Sequence, residues 1–169
     1  MIANMFTVGI ITSSDKGSKG EREDLSGKVI ADIVINKGYT VKRQVILPDE
    51  EDALSREMIY MADDLEIDLI LTTGGTGFSK RDVTPKATIK VCTKMANGIA
   101  EAIRYNSLNI TPRAMLSRAV SGIRNNTLII NLPGSPKAVK ESLDYAIDSI
   151  HHGLEILTGK ASECATPQK

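Results

Sequence analysis

Short strand-like runs alternate with segments of helical periodicity along most of this chain, and that alternation leaves few folds open. Phe6-Thr7-Val8-Gly9-Ile10-Ile11-Thr12 is a nearly continuous apolar run, as expected of a strand buried on both faces of a parallel sheet. Tyr39 to Leu47 and Ile67 to Thr72 read as the second and third strands. Val29, Ile30, Ile33 and Val34 recur at helical spacing before a stop at Lys37-Gly38, and Leu54, Met58, Met61 and Leu65 step by 4, 3 and 4. Thr84-Pro85 opens a further helix, with Thr as cap and Pro in the first turn; the pattern runs to about Asn97-Gly98. Shorter helices are expected over Ala100 to Leu108 and from Pro112. Ser121 to Leu132 reads as two strands joined at Asn125-Asn126, and Pro136 opens the last helix. The expected fold is α/β: a three-layer sandwich with a mostly parallel sheet between helices.

Composition narrows the function. With 169 residues, 41% hydrophobic and 25% charged, one domain over 1–160 is expected, with a disordered polar tail over 161–169. Lys plus Arg and Asp plus Glu both total 21, so the chain lacks the positive field of a nucleic-acid binder. Four Tyr and two Phe are too few for a row of base-stacking platforms. Cys92 and Cys164 lie too far apart for metal-ligand spacing, and Cys92 reads as a core residue inside a helix. His151 and His152, late in the last helix, read as structural or surface residues. No stretch nears the ~20 apolar residues of a membrane span, and Met1-Ile2-Ala3-Asn4-Met5 is not a basic leader, so a soluble cytoplasmic protein is expected.

Ligands of open α/β sheets sit beyond the carboxyl ends of the strands, so the residues there carry the functional reading. After the third strand comes Thr73-Gly74-Gly75-Thr76-Gly77, a segment flexible enough to aim several N–H groups at one anion. It is neither a Walker A loop nor a dinucleotide fingerprint, and a tight strand-to-helix turn explains it equally well. Asp82 follows. A carboxylate beside an anion cradle makes sense if a cation lies between, since Mg²⁺ takes one or two carboxylates plus substrate phosphates. Asp49, after the second strand, is at the same edge, although a Pro-Asp turn capping the next helix also accounts for it. Leu132-Pro133-Gly134-Ser135-Pro136 forms a fourth strand-turn-helix junction, suited to an anion or to nothing in particular.

Taken together, these segments resemble the molybdopterin-binding family, specifically the molybdopterin adenylyltransferases of the MogA/MoaB type and the gephyrin G domain. The matching residues are Ser14-Asp15, Gly20-Glu21-Arg22-Glu23-Asp24, Ser26-Gly27, Pro48-Asp49, Leu71 to Gly77, Arg81 to Pro85, Ala87-Thr88, Ala114 to Arg118 and Leu132 to Pro136. The resemblance implies transfer of AMP from ATP to the terminal phosphate of molybdopterin, with release of pyrophosphate. It implies Asp49 and Asp82 as catalytic, Mg²⁺-linked carboxylates and Gly74, Gly75, Thr76 and Gly77 as the phosphate cradle. Ser13, Ser14 and Asp15 match the first-strand loop; Ser117, Arg118, Gly134, Ser135 and Pro136 match later parts of the pterin and nucleotide site. Ser79-Lys80 and Lys86 depart from the family's pattern. A homotrimer and a molybdenum-insertion partner protein are implied, with no nucleic acid and no membrane. The alternative is a non-catalytic molybdopterin-binding or scaffolding paralogue, since fold does not determine function.

Overall fold

The structure is a computed structural model and describes residues 5–160; the tail expected over 161–169 lies outside them. Six strands form one sheet in the order β2-β1-β3-β6-β5-β4. β1 (Thr7–Ser13), β2 (Thr40–Leu47), β3 (Leu69–Thr73) and β6 (Thr127–Leu132) are mutually parallel; at one side β5 (Ser121–Arg124) pairs antiparallel with β6, and β4 (Lys94–Met95) antiparallel with β5. Every side chain of β3 and β6 is buried, as two covered faces require.

The period of two divides the core. Val8, Ile10, Leu69, Leu71, Leu128 and Ile130 pack on one face with α2 (Leu25–Asn36), α5 (Asn97–Leu108) and the long α6 (Pro136–Leu157). Ile11, Ile70 and Ile129 pack on the other face with α3 (Glu51–Ile59) and α4 (Thr84–Val91). This is the three-layer sandwich expected.

Three elements depart from expectation. The polar loop after β1 contains a one-turn helix, α1 (Asp15–Ser18), because the Ser14 hydroxyl accepts from the Gly17 N–H and caps it. The 4-3-4 apolar spacing is not one α-helix: α3 runs into a π-helical turn, Tyr60–Asp64, in which the Leu65 N–H donates to the Tyr60 carbonyl. The helix from Thr84 ends at Val91, well before Asn97. Cys92 is extended there, and the Thr93 and Ala96 N–H groups donate to the Ile123 and Ser121 carbonyls, so the chain gains a sheet edge instead of two more helical turns. Cys92 therefore lies at a helix end, half-buried. Desolvation pushes its thiol up to about 11, which leaves it unreactive near neutral pH.

Candidate active site

The carboxyl ends of β1, β2, β3 and β6 converge on a cleft of about 520 Å³. Ser13, Ser14, Asp49, Gly74, Gly75, Asp82, Gly134, Ser135 and Pro136 line it, as do Thr12, Arg22, Glu23, Asp24, Ser26 and Thr73. Of the expected site residues, Asp15, Thr76, Gly77, Ser117 and Arg118 do not. Thr76 and Ser117 open instead onto an adjoining recess of about 220 Å³, which shares Gly134 with the cleft and includes Arg104, Arg113 and Asn131.

The two glycine-bearing turns are built against each other. Gly74 and Gly75 have φ of +88° and +68°, a region that favours glycine. A Cβ on Gly74 would approach the Ser13 carbonyl oxygen to 2.5 Å, and one on Gly75 would collide with Thr84 Oγ1. The Thr84 hydroxyl donates to the Gly74 carbonyl at 3.0 Å, fixing the turn to the start of α4. On the other side the Thr73 hydroxyl donates to the Pro133 carbonyl at 2.6 Å, and the Ser26 hydroxyl to the Gly134 carbonyl at 2.7 Å. Beneath both turns lies Asn131, fully buried, whose side-chain amide donates to the Thr72 and Thr88 hydroxyls at 3.0 and 2.9 Å. A satisfied buried polar group of this kind specifies register, since any slip leaves it unpaired.

Asp49 does not cap α3, the helix that follows it. Its Oδ1 accepts from the Ser13 hydroxyl at 2.6 Å and its Oδ2 from the Asp15 N–H at 3.0 Å, while Asp15 Oδ1 accepts from the Asp49 N–H at 3.0 Å. Asp82 Oδ2 accepts from the Ser79 N–H at 2.9 Å. Asp15, expected at the ligand, instead pairs with Arg81, whose Nε and Nη2 donate to its two oxygens at 3.0 and 2.8 Å. The Arg81 guanidinium holds the Asp15 carboxyl below the ordinary carboxylate value. Arg118 is likewise committed to the protein: its guanidinium donates to the Gly77 and Asp82 carbonyls, tying down the loop that carries Asp82. Departing positions Ser79 and Lys86 also have partners in the fold, the Asp82 carboxylate and Glu51.

Sequence reasoning did not select Thr12, Asp24 or Ser26 for the cleft. Asp24 caps α2 through Gly27 and accepts from the Thr12 hydroxyl at 2.8 Å. The resemblance contained a signal for two of them, since Asp24 and Ser26 stand within its matching segments.

Four carboxylates (Glu23, Asp24, Asp49, Asp82) and one guanidinium (Arg22) line the cleft, so an anionic ligand there needs cationic charge from elsewhere. Among the described residues, no group of three or more His, Cys, Asp or Glu could hold a metal ion unaided. Two carboxylates completed by phosphate oxygens and water is a donor set suited to Mg²⁺, and Asp49 and Asp82 fit that role. No helix among the described residues is long and apolar enough to cross a membrane.

Comparison with known proteins shows the family. The chain is 43% identical over 156 residues to the molybdopterin adenylyltransferase of Helicobacter pylori, covering 90% of this chain and 88% of that one. It is 42% identical over 165 residues to gephyrin of Dictyostelium discoideum, covering 92% of this chain and 23% of that longer protein. The crystal structure of the molybdopterin biosynthesis enzyme MoaB from Thermus thermophilus superposes with a TM-score of 0.88 at 43% identity, over 94% of this chain and 100% of that one. Residues 9–152 match the family model described as "Probable molybdopterin binding domain", and the chain belongs to that molybdopterin-binding family.

Proposed function

We propose that this chain is a molybdopterin adenylyltransferase, moving AMP from ATP to the terminal phosphate of molybdopterin in molybdenum-cofactor biosynthesis. One observation carries the reading: two glycine turns, from β3 and β6, meet in a cleft flanked by Asp49 and Asp82. The 43% identity to a relative of that name, across nearly the whole of both chains, supports it. A molybdopterin phosphate oxygen bonds to the α-phosphorus of ATP, the α–β bridging bond breaks, and pyrophosphate leaves.

The nucleophile is a phosphate monoester, largely ionised at neutral pH, so the protein has little proton transfer to perform. Its work is alignment and charge neutralisation. Gly74 and Gly75 let the turn take a left-handed backbone packed on Ser13 and Thr84, so that its N–H groups can serve phosphate, Gly134 keeps the facing turn bare, and the N-terminus of α6 adds its dipole. Asp49 and Asp82 would hold Mg²⁺, which supplies positive charge to the reacting and departing phosphates. Ser13 keeps Asp49 oriented, and Arg118 keeps the Asp82 loop in place. The recess that Thr76 and Ser117 share with Arg104 and Arg113 suits the pterin.

The single domain expected over 1–160 is part of the proposal. A homotrimer is part of the proposal, supported by the exposed apolar side chains Tyr105, Leu108, Ile110, Met115 and Leu116 on α5 and the following turn; sedimentation at a single chain mass, at micromolar concentration, contradicts it. A molybdenum-insertion protein would receive the adenylylated product. The deciding experiment mixes protein, ATP, Mg²⁺ and molybdopterin and follows pyrophosphate. Release that requires molybdopterin supports the transferase. Binding of molybdopterin without release leaves a non-catalytic binding module.

A further inference from the structure

Asp49 and Asp82 come from strands that do not touch. In the order β2-β1-β3 the first strand lies between them, so backbone pairing alone leaves their separation to the loops. The geometry points to Arg81 as the residue that sets it: a clamp across the end of β1 that positions both carboxylates for a divalent cation, without itself touching ligand. This rests on the proposed adenylyltransferase reading and deepens it.

The chain of contacts runs through all three loops. Arg81 precedes Asp82 on the β3–α4 loop and grips Asp15 of the β1 loop with two N–H groups, at 3.0 and 2.8 Å. Its Nη2 also donates to Glu50 of the β2 loop at 2.9 Å, and Glu50 is the neighbour of Asp49. Asp15 in turn exchanges two backbone-to-carboxylate hydrogen bonds with Asp49, each 3.0 Å. Movement of either carboxylate loop must break one of these contacts. Arg81 is absent from the cleft lining, so its part is positioning.

An isolated exposed ion pair fixes little. A planar fork that holds one carboxylate by two bonds and a second by a third fixes geometry as well as charge. Lysine carries the charge and not the fork, which separates the two explanations.

The test uses the full chain with Mn²⁺ as the probe cation and α,β-methylene ATP, which cannot be cleaved at the reacting bond; free Mn²⁺ is counted by electron paramagnetic resonance. Arg81→Lys and Arg81→Ala should both weaken Mn²⁺ binding about tenfold, the loss typical when a residue orienting metal ligands is removed. Melting temperature should fall by no more than about 2–4 °C, the shift that losing exposed ion pairs makes in a chain of this size, and molybdopterin affinity should stay at the wild-type value. Lys90→Ala, which removes a positive charge from the separate ion pairs with Glu51 and Asp52, should leave Mn²⁺ binding unchanged. Wild-type Mn²⁺ affinity in Arg81→Lys would overturn the clamp, because charge alone would then suffice. A larger fall in melting temperature with loss of both ligands overturns it too, as a purely structural role. Absence of Mn²⁺ binding in the wild-type protein has the same force. If the wild type binds Mn²⁺ and nucleotide yet releases no pyrophosphate with molybdopterin, the adenylyltransferase reading falls and the Mn²⁺ comparison still decides the clamp.

Discussion

Asp49 and Asp82 are held differently, and the difference makes their amide variants unequal probes of one role. Asp82 receives its backbone hydrogen bond on a single oxygen, from Ser79, and the amide oxygen of an Asp82→Asn variant can still accept it. Asp49 accepts on both oxygens, from the Ser13 hydroxyl and the Asp15 N–H. An amide there keeps one acceptor, so the Ser13 hydroxyl must turn and accept instead. Asp82→Asn is expected to melt at the wild-type temperature and Asp49→Asn to lose about 0.5–1.5 kcal/mol of stability, the ordinary worth of one hydrogen bond. Pyrophosphate release should fall by roughly three orders of magnitude in both, because cation charge contributes several kcal/mol to the transition state and ~1.4 kcal/mol is tenfold. The double variant should be scarcely slower than either single one, since groups acting as a unit do not add. Near-normal turnover in Asp82→Asn, measured on the same preparations as the melts, would remove both carboxylates from the mechanism.

At the scale of elements, what the sequence made legible is what local chemistry decides. Lys37-Gly38 ends α2, Pro85 sits in the first turn of α4, Ser135-Pro136 starts α6, and Asn125 turns the β5–β6 hairpin with φ of +52°. Each of these depends on a residue's own backbone preference or capping group. Thr84, expected as the cap of α4, is instead its first residue: Val83 stands at the cap with no side-chain bond, while the Thr84 hydroxyl goes to the Gly74 carbonyl. β4 has only two residues and no periodicity to read; it exists because β5 offers it hydrogen bonds. The π-helical turn was hidden because apolar steps of 4, 3 and 4 suit an α-helix equally well. In the site, the loops after β1, β2, β3 and β6 could be found from the sheet rule alone, whereas Thr12 is a strand residue and Ser26 a helix residue that only tertiary packing brings to the cleft. The same junction chemistry gives a prediction. Gly75→Ala puts a side chain in the left-handed region and against Thr84 Oγ1, and should cost about 2–4 kcal/mol by urea unfolding. Gly134 has no such backbone demand; its added Cβ meets Gly74 Cα and N, at an ordinary 3.6 and 4.0 Å. Gly134→Ala should unfold within about 0.5 kcal/mol of wild type and yet bind ATP more weakly, because the new methyl occupies the meeting point of the two turns. Equal nucleotide affinity by calorimetry would show that phosphate does not approach there.

Across the whole molecule the sheet has a working end and a holding end. The carboxyl ends of the parallel strands carry the cleft; the amino ends carry contacts that close the fold and touch no candidate ligand residue. Thr7 and Asp68 exchange hydrogen bonds before β3, and the Thr127 hydroxyl donates to the Ile67 carbonyl at 2.6 Å. At the same end Tyr39 stacks on His151, with its hydroxyl 2.7 Å from Nδ1, and Phe6 meets both rings edge-on. Variants at the two ends should therefore combine additively, stability on one side and activity on the other. Tyr39 provides the measurement. Burial first, then the negative charges of Asp148 and Glu155, push its hydroxyl up from 10.0 to about 12. Below pH 10 the tyrosine is protonated whether the chain is folded or not, so its contribution is complete. Above pH 10 the unfolded chain releases the proton and the folded one retains it, so stability is lost progressively toward pH 12, by about 2–3 kcal/mol. Tyr39→Phe should begin about 1 kcal/mol less stable at pH 8, for the missing hydrogen bond, and then decline less steeply, so that the two stability curves cross in alkali and the variant ends the more stable by about 1–2 kcal/mol. Cys92, also raised, is common to both proteins and cancels from the difference. Pyrophosphate release at neutral pH should be equal in the two. Parallel curves of urea-unfolding stability against pH would show that the Tyr39 hydroxyl ionises as freely in the fold as outside it, and a fall in neutral-pH turnover would show that the two ends of the sheet are coupled.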